Sequence, residues 1–296
     1  NGAIDIGAGT DEMVGSSDVI DGGIFLNGGA MTLTVSTSGD DIRFNGAVEL
    51  QSDVTITTSS NETDGANTQS LGGDILFTDD ATIDSQATAG DNDVSEDNDL
   101  LLRAGTGSIS FNANIGARQN ATPDFNGQLG TFTIEDTTGS VTFGGADAET
   151  TGSDLANVTE VRTNGAIDIG AGTDEMVGSS DVIDGGIFLN GGAMTLTVST
   201  SGDDIRFNGA VELQSDVTIT TSSNETDGAN TQSLGGDILF TDDATIDSQA
   251  TAGDNDVSED NDLLLRAGTG SISFNANIGA RQNATPDFNG QLGTFT

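Results

Sequence analysis

Residues 1–133 and 164–296 are one sequence written twice, so the chain starts over at Asn164. That repeat constrains the fold more than any other feature, because each unit has to accept a copy of itself as a neighbour. A finer rhythm runs inside the unit. Related phrases recur: "NGAIDIGAG" at Asn1, "DGGIFLNGG" at Asp21, "GDDIRFNGAVEL" at Gly39, "GGDILFTDDATID" at Gly72, "GTGSISFNANIGA" at Gly105 and "TGSVTFGGADA" at Thr138. Five of the six carry a phenylalanine: Phe25, Phe44, Phe77, Phe111 and Phe143. A second alternating run, such as "MTLTVSTSG" or "DLLLRAGTG", precedes most of them. Each cycle reads strand, glycine turn, strand, polar loop. Six cycles per unit average about 27 residues, inside the roughly 20–50 residues of solenoid repeats.

Alternation of period two sends Ile109 and Phe111 to one side of a strand and Ser108 and Ser110 to the other. No stretch carries an apolar stripe at helical spacing. A coil of two or three short strands cannot bury its apolar side alone, whereas stacked coils bury it continuously. The expected fold is therefore all-β, a parallel β-solenoid of about six coils per unit, with Phe111 stacked near Phe77 and Phe143. Chirality rules for parallel crossovers favour a right-handed β-helix. The alternative is a string of sandwich domains. The recurring Gly–x–Ile–x–Phe phrase and the lack of Trp and Tyr weigh against it.

On this reading residues 1–163 are the first unit of a continuous solenoid. Residues 164–296 are a second unit, stopping at the equivalent of Thr133. Identity over 133 positions exceeds what folding demands and points to recent duplication or to homogenisation of a longer array. Asn1 opens in mid-phrase, since the same "NGAIDIG" at Asn164 follows "VTEVRT". Further copies of the repeat in a parent chain are the first expected partner, with lateral or end-to-end self-association the second.

Charge narrows the functional classes. The chain holds 48 acidic residues and 7 basic ones, all arginine, for a formal net charge of −41. Such a surface repels nucleic acid and anionic lipid and gathers cations. The acidic residues sit between alternating apolar runs, which marks a folded chain rather than a disordered one. Cysteine is absent, which excludes disulfides and thiolate metal sites. No apolar run reaches the roughly 18 residues of a membrane-spanning helix, so no membrane insertion is expected in this segment.

The runs "NGAVELQSDVTITT", "LLLRAGTGSISFNANIG" and "LGTFTIEDTTGSVTFGG" resemble the β-strand repeats of very large bacterial surface proteins, the filamentous-haemagglutinin-like and adhesin-type arrays. The resemblance extends along the whole chain. It implies an extracellular, cell-surface parallel β-helix serving as stalk, fibre or adhesin, and it supplies no catalytic residues.

Candidate chemistry is confined to oxygen ligands. The densest acidic stretch, "GDNDVSEDNDL", offers Asp91, Asp93, Glu96, Asp97 and Asp99, and again Asp254, Asp256, Glu259, Asp260 and Asp262. Hard carboxylates at short spacing suit Ca²⁺. The stretch is not an EF-hand loop, because Glu96 stands where the invariant glycine belongs and Leu102 where the bidentate glutamate belongs. A solvated loop between coils is the simpler reading of the same residues. "IGAGTDEMV", with Asp11 and its copy Asp174, partly matches a Ca²⁺-binding nonapeptide but has Ile6 in place of glycine. A glycine turn with polar flanks explains it better. Asp40–Asp41 and Asp79–Asp80 read as turn carboxylates.

Polysaccharide-degrading enzymes also use parallel β-helices, and they need an acidic cleft with a proton-abstracting base. Arg43, Arg103 and Arg118 are present, but nothing in their context marks one as a base, and identical units would repeat one active site in every copy. No catalytic residue is expected. The expected function is structural: a stiff extracellular segment, acidic and stabilised by cations such as Ca²⁺. The alternative is an adhesive module that contacts another cell or matrix through its loops.

Overall fold

The computed structural model describes residues 2–7, 19–64, 67–86, 97–117, 127–144, 158–171, 182–227, 230–249, 260–279 and 291–296. Every regular element among them is a β-strand. Apart from two hairpins, all strand pairs are parallel, and they build three faces around one core. The chain visits the faces in a fixed order. Ile4–Ile6 lies on face one, Ile24–Leu26 on face two and Leu33–Ser36 on face three. The next coil repeats the circuit with Ile42–Phe44, Val48–Leu50 and Val54–Thr57, each paired in register with the strand below. The protein is a parallel β-solenoid.

Later coils follow the same path. Ile75–Phe77, Ile109–Phe111 and Val141–Phe143 continue face one, and Leu100–Arg103, Phe132–Glu135 and Ile167–Ala171 continue face three. Face two passes from Ile83–Ser85 to Glu160–Arg162 through the single bridging residue Ile115. The strands then run on through Ile187–Leu189, Leu196–Ser199, Ile205–Phe207 and beyond without a change of pattern.

Alternation explains the strands. In Ile42–Phe44, Val48–Leu50 and Ile75–Phe77 the outer two residues are buried and the middle one faces out. Phe44, Phe77, Phe111 and Phe143 form a column, with ring centroids 5.0, 5.3 and 5.0 Å apart and nearly parallel planes. Phe132 enters from face three and meets Phe111 edge-on at 5.6 Å. Phe25 is no part of this column and is 57% exposed. In "IFL" the aromatic is the middle residue, so parity turns it outward and places Ile24 and Leu26 inward.

The glycine two residues before Ile75, Ile109 and Val141 has a packing cause. Gly73, Gly107 and Gly139 stack in successive coils. A Cβ on Gly107 would lie 2.1 Å from the carbonyl oxygen of Gly73, and one on Gly139 2.0 Å from that of Gly107. Backbone approaches backbone there, and no side chain fits.

The number of coils departs from the expected six per unit. Among the described residues one unit supplies fourteen strand positions, thirteen strands of the solenoid and the bridge at Ile115. At three positions per coil that makes four and two-thirds coils. The phrase at Asp21 does not start a coil but fills face two of the first one. Inward parity is the same on every face, so the phrases look alike wherever they fall.

Candidate functional site

The acidic residues that the structure places are used first to hold coils together. Asp41 immediately precedes a face-one strand, and its Oδ1 accepts the backbone N–H of Asp74 in the next coil at 2.8 Å. Asp74 Oδ1 in turn accepts the N–H of Ser108 at 2.8 Å. A second ladder runs along the entry to face three. Asp99 N–H donates to Asp53 Oδ1 at 3.1 Å, and Asp99 Oδ1 accepts from Thr131 N–H at 2.7 Å. Both ladders recur in the second copy, as Asp204 to Asp237 to Ser271 and as Asp216 to Asp262 to Thr294. An aspartate one residue before a strand can reach the N–H at the same height in the coil above, so coil spacing and side-chain length match. Each bond of this kind contributes about 1 kcal/mol.

Four of the expected Ca²⁺ ligands are therefore located. Asp99 and Asp262 are acceptors in these ladders. Asp97 Oδ2 accepts from the Asn164 side-chain amide at 2.8 Å, and Asp260 is its counterpart in the second copy. Asp91, Asp93, Glu96, Asp254, Asp256, Glu259, Asp11 and Asp174 lie outside the described residues. Among the described residues no three acidic side chains converge as a bound cation would require.

The base of the acidic insertion is clamped. Asn98 donates its side-chain amide to the Leu50 carbonyl at 2.8 Å and to Ser85 Oγ at 2.9 Å, while its backbone N–H also donates to Ser85 Oγ. Asn261 makes the same three bonds to Leu213 and Ser248. Inside the turns, Thr78 Oγ1 donates to Asn45 Oδ1 at 2.9 Å, and Asn45 donates to the Gly7 carbonyl at 3.2 Å. These buried polar groups tie three coils at one corner.

Arginine works the same way. Arg43 pairs with Asp5 at 3.5 Å and Arg206 with Asp168 at 3.1 Å, each across one coil step on an outer face. Arg103 donates Nε to Glu135 Oε1 at 2.6 Å. Arg118 lies outside the described residues. Burial pushes the Asp168 carboxyl above its ordinary pKa, against the opposing pull of Arg206. Asp80 is also raised, chiefly by burial and then by the charges of Asp79 and Asp21. One oxygen of Asp79 and one of Asp80 are buried without a hydrogen-bond partner.

The Asp ladders were missed by reading motifs for metals, although their signal is written out: "DDIRF", "GDILF", "SDVTI" and "NDLLL" each put Asp directly before the strand. Only knowledge of which strand lies above which turns that position into a staple. No protein-family model, curated protein or solved structure matches the chain.

Proposed function

We propose that this chain is a segment of a stiff structural element, a fibre, stalk or surface filament of a large extracellular protein. The observation that carries the reading is the run of pairing through the junction between copies. Phe132–Ile134 pairs with Ile167–Ile169, and Val141–Phe143 pairs with Ile187–Leu189, within sheets that strands of both copies share. Adding sequence therefore adds height and leaves the cross-section unchanged. Four and two-thirds coils at about 4.8 Å give roughly 22 Å per unit.

Its acidic surface fits a solvated rod. One unit carries 27 acidic residues and 4 arginines, a net of −23. Spread over roughly 22 Å, that is about one charge per ångström of axis, denser than the one per 1.7 Å or so of duplex DNA. Such a rod holds cations, and divalent ones join carboxylates on neighbouring coils or neighbouring rods.

Small-angle scattering on this chain and on a version lengthened by one further unit tests the reading. The expected result is a maximum dimension larger by roughly 22 Å, from the same strand spacing, at constant cross-sectional radius. An increase in cross-section, or the profile of two flexibly joined bodies, overturns it.

A further inference from the structure

The two copies have one sequence but do not occupy the same faces. Ile4–Ile6 is on face one, whereas its copy Ile167–Ala171 is on face three. Ile24–Leu26 on face two becomes Ile187–Leu189 on face one. Leu33–Ser36 on face three becomes Leu196–Ser199, which belongs with Glu160–Arg162 on face two. The phenylalanine column moves likewise. Phe44, Phe77 and Phe111 stack along face one, while Phe207, Phe240 and Phe274 stack along face three. All positions shift in the same sense. The cause is arithmetic: fourteen strand positions exceed four coils by two, so each unit ends two-thirds of a turn beyond its start.

The shift leaves local bonding intact. Thr58 Oγ1 donates to the Gly73 carbonyl at 2.6 Å, and Thr221 Oγ1 donates to the Gly236 carbonyl at 2.6 Å, on a different corner. The Asn98 and Asn261 clamps are likewise the same bonds in different places. All three faces accept the same strand, because each offers the same inward Ile, Val, Leu or Phe.

We propose that tandem copies of this unit form a three-sided display, in which each feature of the repeat faces three directions in turn. The hairpin of Ser60–Asp64 and Asn67–Leu71 leaves the corner between faces three and one. Its copy, Ser223–Asp227 with Asn230–Leu234, leaves the corner between faces two and three. The acidic insertion joins Ile83–Ser85 on face two to Leu100–Arg103 on face three, and in the second copy it joins face one to face two. A third unit places both features on the remaining corners. Three units, fourteen whole coils and roughly 67 Å of axis, restore the starting orientation. The rod therefore has no front. A partner that recognises one feature of the unit meets it from every side, at axial steps of roughly 22 Å set by the strand spacing. A unit of twelve or fifteen strand positions would instead set the feature in one stripe.

This inference deepens the reading of the chain as a rod, and its test is separate from the test of rod growth. The chain has no cysteine, so introduced pairs report cleanly. Glu160 and Thr197 are paired neighbours on face two. Adjacent strands lie about 4.8 Å apart, within the usual Cα range of a disulfide. Oxidation of the Glu160→Cys/Thr197→Cys variant is expected to give an intramolecular cross-link, seen as a mobility shift that reductant reverses. Thr142→Cys/Phe188→Cys on face one is a second expected pair. Were the copies in phase, Thr197 would return to face three, the face of its equivalent Thr34, and Asp168 to face one, which would set Thr197 directly above Thr133. Thr133 and Thr197 lie on different faces in this structure, so a cross-link in Thr133→Cys/Thr197→Cys overturns the proposal. So does a failure of both expected pairs in variants that keep the β-sheet circular dichroism of the parent. Failure of rod growth in scattering with the expected cross-links formed would sink the rod and leave the rotation between copies standing.

Discussion

Phe111 and Phe274 are the same residue in the same repeated phrase, yet their surroundings differ, and that makes a controlled experiment. Phe111 is fully buried, stacked between Phe77 at 5.3 Å and Phe143 at 5.0 Å, with Phe132 edge-on at 5.6 Å. Phe274 stacks on Phe240 at 5.2 Å, touches Phe295 at 5.6 Å and is only partly buried. Phe111→Ala removes a ring from a column closed on both sides and is expected to cost about 3–5 kcal/mol. Phe274→Ala removes a ring that is only partly buried and is expected to cost about 1–2 kcal/mol. Phe25→Ala, on the outward side, is expected to change stability by less than about 0.5 kcal/mol.

Urea denaturation followed by circular dichroism reads all three. With a slope of about 2 kcal/mol/M, Phe111→Ala shifts the midpoint by about 2 M and Phe274→Ala by less than about 1 M. A small or biphasic change in Phe111→Ala would show that coils unfold in separate blocks, a known behaviour of repeat arrays. Equal shifts for Phe111→Ala and Phe274→Ala would refute the argument, because local sequence rather than position in the stack would then set the energy.

Asp99→Ala removes the acceptor for Thr131 N–H and is expected to lower stability by about 1 kcal/mol, while Asp99→Asn, which keeps an oxygen there, stays near the parent in the same denaturation assay. Gly107→Ala forces a methyl against the Gly73 carbonyl and is expected to cost about 3 kcal/mol, whereas Gly22→Ala, with nothing within 4 Å of the new carbon, leaves the melting temperature unchanged. The raised pKa of Asp80 means that the folded state holds its proton more tightly than the unfolded state does, so its contribution to stability falls as pH rises from 3.8 through the raised value. Asp80→Asn is accordingly expected to melt higher than the parent at pH 7, with the gap closing below pH 3.8; a constant gap across pH would sink this account. Ca²⁺ is expected to raise the melting temperature or light scattering beyond NaCl at matched ionic strength. If changing Asp91, Asp93, Glu96, Asp97 and Asp99 to amides leaves that response intact, the cations are held by the rod as a whole and not by the insertion.

Much of this molecule is legible residue by residue. Period-two alternation in "ISF", "IRF" and "ILF" decides which side chains point inward, and it requires only the pleat of a strand. The column of Phe44, Phe77, Phe111 and Phe143 follows once identical phrases must stack. The parallel solenoid was readable for the same reason, since a strand that buries one side and recurs needs a copy of itself above and below. The outward Phe25 is legible by the same rule, since within "IFL" it is the middle residue and Ile24 and Leu26 take the inward places.

What lay beyond the sequence is whatever depends on closing a coil. Each phrase occupies one face in the first copy and a different one in the second, so nothing in "DGGIFLNGG" says that it belongs to face two of a coil already begun. The three-strand circuit, and with it four and two-thirds coils per unit, emerges only when the corners bring each strand onto the one below. The same closure makes Asp99 a staple, by placing Thr131 N–H 2.7 Å away across 32 residues of chain. Local alternation is a property of neighbours along the chain and can be read from it. Phase is a sum over the whole circuit, and only the tertiary structure performs that sum.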